Sequence, residues 1–191
     1  HIPWIHNVKN TDLVIDIDDE DSQRLLRLFN DPAGLDYLRT CGVDEATLAQ
    51  LSLLGISGIA NVLCCVKLAK YYELTEHDVV ATVLTDSAAM YGSRIQELAE
   101  QYGPYDAKAA ADHSLHLLGL RTDAMAELTY YQRKRVHNLK YYTWVEQQGR
   151  TMEELNDLWY GTVWDDVHQQ AAALDELIHS FNEATGVLGR L

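Results

Sequence analysis

The stretch 84–94, LTDSAAMYGSR, brings a carboxylate, several hydroxyls, a phenol and a guanidinium together within a few residues. Thr85, Asp86 and Ser87 directly follow the apolar run DVVATVL (78–84). That run lacks alternation and so reads as a strand buried on both faces. In open α/β sheets, ligands sit outside the carboxyl ends of the strands. Thr85, Asp86 and Ser87 are therefore the candidate site. A capped turn into the helical pattern IQELAEQY accounts for the same residues without any ligand.

Other groups could carry chemistry. GISGIAN (55–61) offers small residues at a helix start, where backbone amides and the macrodipole can hold a phosphate. Close packing of a helix start, with Ser57 as its cap, is the simpler reading. His113 and His116 lie on one helix face, but a metal site needs a third ligand. Cys64 and Cys65 sit in an apolar helix and read as buried thiols, because a nucleophile would want an electropositive, partly exposed setting. Residues 129–149 concentrate Arg133, Lys134, Arg135 and Lys140 among aromatics, suiting an acidic partner or, more plainly, an amphipathic helix with a solvated basic face.

The elements expected to position these groups alternate in the first half of the chain. LVIDI (13–17) is a strand. DDEDSQRLLRLFN is a helix capped by Asp18 or Asp19. Pro32 suits the first turn of the next helix, and DEATLAQL is a short one. LLGI (53–56) reads as a short strand, Ser57 to Lys70 or Tyr72 as an apolar helix, and 78–84 as a central strand. This is the pattern of an α/β fold: a partial, mostly parallel sheet with flanking helices. Past Gly103-Pro104 the character changes. Segments 105–118, 123–148, 151–159 and 163–184 read as helices, with Thr151 and Glu154 forming a capping box. The expected organisation is thus residues 1–103 as an α/β domain and 104–191 as an all-helical C-terminal extension.

Composition limits the partners. The 191 residues carry a formal net charge of -14, which opposes nucleic acids and anionic membrane surfaces. No apolar run approaches the roughly 20 residues of a membrane span. Three cysteines, two of them adjacent, do not form a disulfide framework, so a cytoplasmic location is expected. The chain opens HIPWIHN without an initiator Met, as expected of a piece of a longer protein.

Two segments together resemble the fold-type II pyridoxal-phosphate enzymes, the group of cysteine synthase, cystathionine β-synthase, threonine synthase and the tryptophan synthase β chain. GISGIANVLCCVKLAKYYEL is similar to the family's glycine-serine-rich helix start and its apolar helix with a lysine near the end. VVATVLTDSAAMYGSR is similar to its buried strand, the serine-bearing turn and the tyrosine beyond, here Tyr91. HIPWIHN through LVIDI and DDEDSQRLLRLF matches the family's loop, strand and helix. The resemblance covers residues 1 to about 95. The helical tail resembles the extension of a divergent branch called the pyridoxal-phosphate-dependent protein β subunit. The sequence has Ala-Ala-Met where several members have Gly-Glu-Arg.

The resemblance implies that Ser87 meets the pyridine nitrogen of pyridoxal 5'-phosphate, with Thr85 as a second hydroxyl donor and Asp86 as the neighbour to watch. A neutral hydroxyl donates to an unprotonated ring nitrogen, whereas a carboxylate would favour the pyridinium and a stronger electron sink. The weaker sink suits β-elimination or β-replacement on an amino acid. The family's Schiff-base lysine and phosphate loop would lie upstream of His1, and Lys9, Lys67, Lys70, Lys108, Lys134 and Lys140 do not match its context. The expectation is therefore the C-terminal part of a lyase or synthase, inactive without its missing N-terminal portion, and homo-oligomeric. The alternative is a non-catalytic α/β scaffold whose helical part binds a partner or itself.

Overall fold

The computed structural model describes residues 6–190. The first five residues of the expected opening loop, and Leu191, lie outside the described residues. Helices make up 69% of the chain and strands 3%. The expected α/β fold with a mostly parallel sheet is therefore incorrect: the protein is mostly helical.

The chain's contacts group into two units, one formed by residues 15–126 and the other by those up to Val14 together with those from Glu127 onward. Two short strands, β1 (Leu13–Ile15) and β2 (Met125–Glu127), carry the chain from one unit to the other. They pair as a two-stranded sheet. The Asp16 amide donates to the Ala124 carbonyl and the Leu128 amide to the Asp12 carbonyl, which is an antiparallel register. β2 falls inside the helix expected over 123–148.

The unit 15–126 is built on α1 (Asp19–Asn30). Asp18 caps it, accepting from the Glu20 amide at 2.9 Å, and Asp19, Glu20 and Asp21 complement the macrodipole. Its Leu25, Leu26 and Leu28 are almost fully buried. Against it pack α2 (Pro32–Thr40), which starts at Pro32 with Asp31 as cap, α4 (Ile56–Tyr71) and α6 (Ala107–Leu118). The short α3 (Glu45–Gln50) joins α2 to a 3-10 turn at Leu51–Leu53. LLGI is thus a turn, not a strand. Ile59 and Leu63 of α4, Ala88 and Ala110 complete the core. α5 (Gly92–Tyr102) buries Leu98.

Residues 78–84 form no strand. Their backbone amides have no ladder partner among the described residues, and Val79 is 93% exposed and Val83 69%. The reason is physical. A helix satisfies its own backbone, whereas a strand needs a neighbour. No described segment lies alongside in register, so the most strand-like sequence in the chain stays single.

The other unit contains α7 (Tyr130–Lys140), whose Thr129–Gln132 capping box is complete, followed by a π-helical turn at Tyr141–Glu146. α8 (Met152–Tyr160) starts with the expected Thr151–Glu154 capping box and buries Leu155, Leu158 and Trp159. α9 (Val163–Gln169) and α10 (Ala171–Thr185) follow, and neither buries a residue. No single helix among the described residues is long and apolar enough to cross a membrane.

Candidate functional site

Two stretches some thirty residues apart meet at the start of α4. Its N-cap is Gly55, not Ser57, and no side chain caps the helix. The positive end of the macrodipole is therefore left without a side-chain acceptor. The Gly55 amide donates to the Asp86 carbonyl at 3.0 Å. A Cβ at Gly55 would lie 2.8 Å from Asp86 Cγ and 2.8 Å from Tyr91 Cε2, so the close approach requires glycine. One turn further on, buried Gly58 faces Leu84, and Asn61 Nδ2 donates to the Val83 carbonyl at 2.8 Å. The extended segment is thus fastened along the first half of α4 by side-chain and cap contacts.

After Asp86 the chain turns. The Ser87 carbonyl accepts from the Met90 amide at 3.1 Å, opening a 3-10 turn over Ala88–Tyr91. Buried Ala88 anchors this turn in the core, and Tyr91 packs against it. The Tyr91 hydroxyl donates to Asp86 Oδ2. That bond, with burial, raises the phenol's pKa. Thr85 Oγ1 lies 3.5 Å from Asp86 Oδ1. The half-buried Ser87 has no hydrogen bond to its hydroxyl among the described residues. The three candidates are therefore in one place with different states: Asp86 engaged, Thr85 exposed, Ser87 uncommitted. The Tyr91–Asp86 bond was the unforeseen feature. Its only trace in the sequence is a phenol five residues beyond a carboxylate, across a turn.

The lysines all have other partners. Lys67, 5% exposed, donates to the carbonyls of Asp16 at 3.0 Å and Asp123 at 2.8 Å. Lys70 donates to Leu120, Lys140 to His6 and Lys9 to Trp159, in each case to a carbonyl. Lys108 pairs with Asp112, and Lys134 lies over the rings of Trp159 and Tyr160. In the basic stretch Arg133 is tied to the Thr11 carbonyl and Asp12, so much of that charge holds its own unit together.

The remaining candidates separate on geometry. His113 Nδ1 lies 3.0 Å from the Tyr105 hydroxyl and 3.1 Å from the Arg24 carbonyl. Burial, then the Arg24 charge, lower its pKa. His116 Nδ1 pairs with Asp21 Oδ1 at 2.5 Å. The two histidines serve different partners, and no group of three His, Cys, Asp or Glu placed to hold a metal occurs among the described residues. Burial raises the Cys64 thiol pKa, the opposite of what a nucleophile needs. A cleft of about 740 Å³ is lined by Asp16, Asp18, Asp21, Lys67, His116 and Arg121, and Thr85–Ser87 take no part in it.

Comparison with protein-family models, with curated proteins and with solved structures finds no match to this chain.

Proposed function

We propose that the junction of Gly55–Gly58 with Thr85–Tyr91 is one wall of a pyridoxal-phosphate site, in a lyase or synthase acting on an amino acid by β-elimination or β-replacement. The observation that carries this is the pairing of states at the turn: the Asp86 carboxylate is engaged by Tyr91, while the neighbouring Ser87 hydroxyl has no partner. A neutral donor, not a carboxylate, is then what the wall offers to a ring nitrogen. Bound pyridoxal phosphate supplies an electron sink for negative charge at the amino acid's α-carbon. Ser87 would donate to the ring nitrogen and keep it unprotonated. Tyr91 would hold Asp86 away from the ring, and Gly55 would let the turn sit against α4.

The chain's own lysines are engaged elsewhere, so the lysine that binds the cofactor comes, in this reading, from polypeptide outside these 191 residues. The amides of 79–84, which have no partner among the described residues, support this, because such an apolar segment is suited to pairing with a strand from elsewhere.

The test is an absorbance titration with pyridoxal phosphate of protein expressed from the complete reading frame, beside the 191-residue chain. The expected result is a bound-cofactor band in the former only, retained in Ser87→Ala with lowered turnover and displaced in wavelength in Ser87→Asp. Absence of cofactor binding in the complete protein overturns the reading, as does a Ser87→Asp spectrum identical to wild type.

A further inference from the structure

At the other end of the chain, α10 has 15 residues and buries none of them. An isolated helix of that length is marginal in water, so its stability must come from packing. Leu174, Leu177, Ile178 and Phe181 follow the i, i+3, i+4, i+7 pattern of one apolar face, and they are 48%, 66%, 57% and 62% exposed. Val167 of α9 and Leu188 beyond α10 continue the seven-residue spacing and are exposed too.

The residues around the stripe decide what fits it. At about 100° per residue, Asp175, Glu176, His179 and Glu183 fall on the side away from it. His179 and Glu183 pair there at 3.2 Å. Thr185 falls within the stripe, and its borders are Ala171 and Asn182 on one side and Ala173 and Ala184 on the other. Such borders are small and uncharged, so a second helix can come close and the stripe can face an identical stripe without like-charge repulsion. A basic partner would find no acid at the rim, and an anionic membrane surface would meet an acidic polar face where interfacial helices carry Lys and Arg. A stripe of four side chains makes a small contact, suited to a weak, reversible pairing.

We infer that α10 is a self-association helix: two copies of this chain pair through Leu174, Leu177, Ile178 and Phe181 in a two-fold, isologous contact. This does not depend on the cofactor reading. The experiment is sedimentation equilibrium of the full chain across micromolar concentrations, with circular dichroism as the control for folding. The wild-type chain is expected to be dimeric at tens of micromolar, Leu177→Asp and Phe181→Asp to weaken the dimer at least tenfold with unchanged helical signal, and Glu176→Lys on the far side to leave it intact. A wild-type monomer throughout the range overturns the inference. So does a dimer that Leu177→Asp and Phe181→Asp leave unchanged, which would locate the contact elsewhere.

Discussion

α4 and the segment 78–84 are close in sequence, and both are strongly apolar, yet they end in opposite states. α4 buries Ile59 and Leu63 at 1% and 0% exposure. Seven residues past its end, the valine run is left open, with Val79 at 93%. Both segments carry enough hydrophobic surface to fold. They differ in where their backbone hydrogen bonds come from. α4 closes its own and needs only one face covered. The segment 78–84 would need a neighbouring strand, and among the described residues it is held instead by Asn61 at the Val83 carbonyl and by Thr75 at Asp78. Apolar patterning alone therefore does not decide whether a segment will be covered.

The comparison breaks first on core substitutions. Leu63→Ala should cost about 2–5 kcal/mol, and Val79→Ala less than about 0.5 kcal/mol, in urea denaturation of the 191-residue chain. Similar costs for both would mean that 78–84 is packed. A second contrast is electrostatic. Burial, followed by the Lys134 and Lys140 charges, lowers the pKa of His137 to about 4. Its stabilising contribution is complete above its unfolded pKa near 6.5 and is lost as pH falls through 4. The slope of stability between pH 6.5 and 4 should therefore shrink in His137→Gln, measured by denaturation at each pH.

Smaller effects sharpen the junction itself. Gly55→Ala should destabilise by about 1–3 kcal/mol, because its methyl would press on Asp86 and Tyr91. Gly189→Ala, with open space around it, should stay within about 0.5 kcal/mol. Tyr91→Phe should cost about 0.5–1.5 kcal/mol by removing the bond to Asp86. The raised phenol pKa adds a check on the same bond: its contribution is present below the unfolded value near 10 and disappears as pH rises through the folded one. Stability above pH 10 should fall less in Tyr91→Phe than in wild type.

Helix signals in this sequence were legible because they are local. Asp18, Pro32 and the Thr151–Glu154 pair each mark a helix start where the structure has one. Ser57 misled by two residues, since the contact with Asp86 makes Gly55 the start. β2 was hidden inside a helical pattern because three residues of strand depend on β1, more than a hundred positions earlier. The parallel sheet failed for the reason 78–84 remains single: strand pairing is non-local. Neither the meeting of GISG with TDS nor the engagement of Asp86 by Tyr91 was legible, because only the folded turn brings these groups together.

The central proposal is that 78–87 would face other polypeptide and a cofactor. Amide hydrogen exchange tests it most directly. In the 191-residue chain, the amides of Val79 through Val83 should exchange at close to unstructured rates. In protein from the complete reading frame, loaded with pyridoxal phosphate, they and Ser87 should become protected. Unchanged fast exchange across 79–87 in the loaded protein would contradict the account.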